Sequence, residues 1–75
     1  MKFEPMFCPV PNMLTWGAVR DNYTYIVSRD FENGGEIRAS VKAKGMAPFK
    51  EGRHDLGVFN SLAEAEQACR DFKPQ

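Results

Sequence analysis

Neither sign of charge prevails in this chain: ten Lys and Arg balance ten Asp and Glu, for a formal net charge of zero. A neutral protein sets up no bulk field for a phosphate backbone or an anionic bilayer, which counts against a dedicated nucleic-acid or membrane-surface protein. No apolar run approaches the roughly 20 residues of a transmembrane helix. The opening Met1-Lys2-Phe3-Glu4-Pro5 holds one base, one acid and a proline with no apolar run behind it, so no targeting signal is read there. Cysteine is scarce as well. Cys8 and Cys69 are far apart, and without a secretion signal both are expected to be reduced thiols in a cytoplasmic protein, Cys69 the slower to react.

Residues suited to chemistry are equally few. His54 is the single histidine, and no pair among Cys8, His54 and Cys69 has the short spacing of a zinc site. Nothing marks a general base, an orienting partner or an oxyanion hole beside either thiol. Gly34-Gly35 opens a strand rather than a helix and lacks the Lys-Ser/Thr that grips phosphate. The acids are dispersed. No catalytic residue, cofactor or metal is therefore expected, and the chain reads as a non-enzyme.

What is present suffices for a core. The composition is 43% hydrophobic, with six Phe, two Tyr and one Trp, too apolar for a disordered segment. Seventy-five residues make one domain, whose folding buries only about 60% of the unfolded surface. Pro5, Pro9 and Pro11 remove three backbone donors from residues 1–13, so that stretch reads as an extended arm across a single α+β domain of residues 14–75.

The helix signal is the strongest. Ser61-Leu62-Ala63-Glu64 is a capping box, and Leu62, Ala65, Ala68, Cys69 and Phe72 then recur at helical spacing. Glu64, Glu66, Gln67, Arg70 and Asp71 fall on the other side, and Pro74 stops the helix. Before it, strands are expected over Leu14 to Arg20, Asn22 to Arg29, Glu36 to Lys44 and Asp55 to Phe59, with a loop from Gly45 to Arg53. Gly57 marks a bulge or a close approach of backbone.

Two registers are open to the hairpin around Asn33-Gly34. A two-residue turn pairs Tyr25 with Lys42 and gathers Tyr23, Tyr25, Arg29, Arg38, Lys42 and Lys44 on one face, the mixture of rings and bases that single-stranded nucleic acid uses. A three-residue turn, Glu32-Asn33-Gly34 with Gly34 left-handed, pairs Val27 with Ala39 and Tyr25 with Val41, so apolar meets apolar. Burial specifies register strongly and favours the second. The expected core is Trp16, Tyr25, Val27, Ile37, Ala39, Val41, Leu56, Val58, Leu62, Ala65, Ala68, Cys69 and Phe72.

The fold expected is α+β, a three- or four-stranded antiparallel sheet with one C-terminal helix on one face. The passages Trp16-Gly17-Ala18-Val19-Arg20, Glu36-Ile37-Arg38 and Leu56-Gly57-Val58-Phe59, the last leading into Ser61 and Glu64-Ala65, resemble the order of motifs in AP2-type DNA-binding domains. That resemblance implies three strands on one helix, with Trp16, Arg20 and Arg38 on a free sheet face in the major groove. The function expected is a non-enzymatic binding or accessory module, with a protein as partner rather than a membrane. The alternative is a nucleic-acid-binding domain using Trp16, Arg20, Arg38, Lys42 and Lys44.

Overall fold

The computed structural model describes residues 1–43 and 54–73. Lys44, the loop expected from Gly45 to Arg53 and the helix stop expected at Pro74 lie outside the described residues. The elements are β1 (Glu4–Met6), β2 (Met13–Arg20), β3 (Tyr23–Asp30), a 3-10 turn (Phe31–Asn33), β4 (Glu36–Ala43), β5 (His54–Phe59) and α1 (Leu62–Asp71). The strands form one antiparallel sheet in the order β1-β2-β3-β4-β5, and α1 packs against β3, β4 and β5.

The sheet has five strands where three or four were expected. The additional one comes from the proline-rich arm, whose Glu4, Pro5 and Met6 pair with Gly17, Trp16 and Thr15 of β2. An edge position tolerates Pro5, because an edge strand can lack a donor without breaking a ladder on both sides. Pro5 also leaves one fewer N–H on an edge that could recruit another chain.

The β2–β3 and β3–β4 hairpins turn through positive φ. Asp21 takes φ 57° in the two-residue link between β2 and β3, a conformation such links need and that Asp accepts better than most residues. Between β3 and β4, the Asp30 side chain accepts from the Glu32 N–H at 3.1 Å and starts the 3-10 turn. Gly34 then takes φ 71° and Gly35 φ 76°. The resulting register pairs Val27 with Ala39 and Tyr25 with Val41. This is the register that burial favoured, with Gly34 left-handed as expected, although the link spans the five residues 31–35 rather than a three-residue turn.

Strand alternation then sorts the side chains. One rung crosses all five strands as Pro5, Trp16, Val27, Ala39 and Gly57, and it faces α1. Ala39, its small member under the helix, is 1% exposed, and Ala65 and Cys69 of the helix are wholly buried. Tyr25, Val27, Ile37, Ala39 and Val41 complete the buried cluster, with Phe3, Trp16, Leu56, Leu62 and Phe72 half-buried around it. Ala18, opposite Tyr25, is buried too, a core position that was not foreseen.

Ala68, also expected in the core, is half-buried outside the cluster, and Val58 departs further: it is 56% exposed. The cause is a bulge. Ala39 pairs with Gly57 but Ser40 pairs with Asp55, so Leu56 is the extra residue on β5. Gly57 adopts φ 108°, and its N–H donates to the Asp55 carboxylate at 2.9 Å. The bulge shifts the alternation, so that Leu56 and Phe59 both pack on the core while Val58, opposite Arg38, faces outward.

The start of α1 is capped as its sequence indicates. Ser61 Oγ accepts from the Glu64 N–H at 3.1 Å, and the Glu64 carboxylate accepts from the Asn60 N–H at 3.1 Å. Ser61→Ala leaves an orphan donor and is expected to cost about 1 kcal/mol. Equilibrium urea unfolding measures the loss, and an unchanged midpoint would mean that the cap contributes nothing.

Candidate functional site

Helix α1 covers three of the five strands, so the β1–β2 half of the same sheet face is left beside it as a step. Trp16 forms the tread of that step. Its neighbour on β1 is Pro5 and its neighbour on β3 is the buried Val27. Leu62 in the first turn of α1 forms one wall, and Phe3, brought in by the arm just before β1, forms another. These residues and Glu66 enclose a cavity of about 180 Å³. Leu62 and Glu66 are four apart and therefore stand one above the other on the helix, so the carboxylate sits beside the apolar wall.

Glu66 accepts from Arg70 Nη2 at 3.3 Å, again across one helical turn. The same carboxylate acts on Cys69. Burial pushes the Cys69 thiol up to about 11, Glu66 adds to the rise, and Arg70 and Arg20 oppose it. Cys69 is thus a buried, protonated thiol that packs as a small apolar residue, whereas Cys8 is half-buried outside the core.

A second concavity, about 410 Å³ and more open, runs along β1 and β2 between Lys2, Glu4, Met6, Gly17, Val19 and Thr24. Its floor depends on Gly17, where a Cβ would collide with the Met6 thioether laid across it.

The residues named for nucleic-acid contact divide between the two faces. Trp16 and Arg20 lie on the helix side. Arg20 closes the C-terminal end of α1: its guanidinium donates to the Arg70 carbonyl at 3.4 Å, the Phe72 carbonyl at 3.3 Å and the Tyr25 hydroxyl at 3.2 Å. It also lies 5.2 Å from the centre of the Tyr25 ring. A cation there complements the negative end of the helix dipole. Arg38 and Lys42 lie on the opposite face, opposite Ser28 and Thr24. Arg38 pairs with Glu36 and, at 3.2 Å, with Asp55. The hydrogen bond that Arg38 donates to the Glu36 carboxylate, followed by that carboxylate's charge, holds the guanidinium more firmly protonated than usual. Lys44 lies outside the described residues.

Two members of the Trp16 cleft, Phe3 and Glu66, were not foreseen as site residues. The signal for Glu66 was its four-residue spacing from Leu62, which puts it at the edge of the apolar stripe rather than on the far side. Phe3 gave only the signal of an aromatic residue in an otherwise proline-broken arm.

Among the described residues no three His, Cys, Asp or Glu side chains gather as metal ligands would, and no helix is long and apolar enough to cross a membrane. Comparison of the chain with protein-family models, with curated proteins and with solved structures gives no match.

Proposed function

We propose that this chain is a non-enzymatic binding module that receives an exposed segment of a partner protein in the cleft beside Trp16. One observation carries the reading: a concavity of about 180 Å³ lies between α1 and strands β2 and β3, lined by Phe3, Trp16, Val27 and Leu62 with the Glu66 carboxylate at its side. That volume falls below the roughly 300–1,000 Å³ of pockets for drug-sized molecules and suits a single side chain projecting from a larger partner. Trp is among the residues enriched at the energetic hot spots of protein interfaces, where flanking contacts serve to exclude water. The nucleic-acid alternative finds less support, since its named residues are divided between two faces and Arg38 is already paired with two acids.

Selection from a random peptide display library tests the proposal. Enriched peptides are expected to bind with NMR shifts centred on Phe3, Trp16, Leu62 and Glu66. No enrichment, or shifts confined to Thr15, Ser28 and Arg38 on the opposite face, overturns it. So does a labelled oligonucleotide that binds in a sequence-dependent way at physiological salt while the peptides do not.

A further inference from the structure

We infer that the Trp16 cleft selects an aliphatic ammonium group, namely the lysine side chain of the partner segment. The inference rests on reading the cleft as the binding site and adds the chemistry of its ligand. Trp16, Phe3 and Leu62 line the cavity, with the buried Val27 at its base and the Glu66 carboxylate beside them. Such a lining matches the methylene stem of a lysine, which packs on apolar surface while its charged head stays polar. The head then finds two kinds of attraction in one place. Aromatic faces attract a cation through their quadrupoles, Trp most strongly, and the Glu66 carboxylate supplies the opposite charge.

Glu66 retains capacity for a second donor. Its hydrogen bond from Arg70 is a single contact at 3.3 Å on the exposed side of α1, whereas an ionised carboxylate offers about four lone-pair sites. A lysine ammonium entering over Trp16 therefore shares Glu66 with Arg70 or displaces it. An anionic ligand would meet the carboxylate at short range, and a neutral alkyl chain would fill the walls while leaving Glu66 without a new partner. The size of the cavity also excludes much beyond a single extended side chain.

The test uses the whole chain, with n-butylammonium as the probe and n-butanol and butyrate as its neutral and anionic counterparts. Trp16 is the single tryptophan, so its fluorescence and indole N–H shift report on the cleft alone. Butylammonium is expected to saturate both signals with a dissociation constant on the order of millimolar, as befits so small a ligand. Butanol is expected to bind roughly fivefold to tenfold more weakly, and butyrate not to saturate. Glu66→Gln, a change between two good helix formers, is expected to weaken butylammonium by a similar factor. Arg70→Gln removes the competing cation and is expected to strengthen it. Equal binding of butanol, an unchanged Glu66→Gln variant, or weaker binding in Arg70→Gln overturns the inference while leaving the cleft a binding site. Absence of saturation by butylammonium also overturns it, even where selected peptides occupy the cleft. Failure of both the probes and the peptides removes the binding-module reading as well.

Discussion

Tyr25→Ala is expected to remove about 3–5 kcal/mol of stability, the usual cost of deleting a buried aromatic side chain. For a small domain that is a large part of a total of roughly 5–15 kcal/mol, so the variant is expected to be partly unfolded without denaturant. Tyr25 is 1% exposed, pairs with Val41, and meets Phe72 edge-on with ring centres 6.4 Å apart. Its hydroxyl reaches Arg20, which in turn closes the end of α1. Tyr25→Phe keeps the ring and removes only that hydrogen bond, at an expected cost of about 1 kcal/mol. Arg20→Met keeps the stem and removes the head, which donates to one hydroxyl and two carbonyls in a partly exposed site. Its expected cost is about 1–2 kcal/mol once solvent screening is allowed for. The double variant completes a cycle whose coupling is expected to be about 0.5–1 kcal/mol. Strict additivity in urea unfolding would mean that Arg20 and Tyr25 do not act through each other.

Alkaline pH is expected to destabilise the fold through Cys69. Burial raises the folded thiol from its ordinary value of 9.0 to about 11. A thiol whose folded pKa lies above its unfolded one contributes its full stability below the unfolded value. Above that value the unfolded chain releases the proton while the folded chain holds it, so stability falls as pH rises from 9.0 to about 11. At about 1.36 kcal/mol per pH unit, the loss approaches 2–3 kcal/mol. The measurement is a difference, which isolates the thiol from every other group. Cys69→Ala carries every other group but not the thiol. The stability gap between wild type and Cys69→Ala is expected to narrow by that amount across the window. Parallel pH curves for the two proteins would show that Cys69 titrates alike in both states.

Legibility from residues alone varied with how local the cause was. The capping box at Ser61 was readable because both of its hydrogen bonds join neighbours within one turn. The hairpin register was readable because Ala39 and Val41 alternate with Arg38, Ser40 and Lys42, and one register alone sets them opposite Val27 and Tyr25. Val58 was misplaced because alternation assumes a regular strand, and the bulge at Leu56 breaks it. Gly57 announced an irregularity there without saying which residue would be turned outward. The fifth strand escaped because three prolines obscure any period in the arm, and β1 exists only through its pairing with β2.

The candidate site follows the same division. Patterns repeated every two or three to four residues are written along the chain, and they specify the strands, the helix and the residues each must bury. The cleft beside Trp16 is not written that way. It exists because α1 lies mainly over β3, β4 and β5, which leaves Trp16 of β2 half-buried at the margin of the core, beside Val27 in the same cavity. The C-terminal end of the helix is held by Arg20 of β2, which donates to the Arg70 and Phe72 carbonyls. Phe3, Trp16 and Glu66 meet through three separate contacts: the arm on β2, the bulged β5 leading into α1, and α1 on the sheet. Local propensity encodes none of those long-range contacts, and packing of the assembled core selects them.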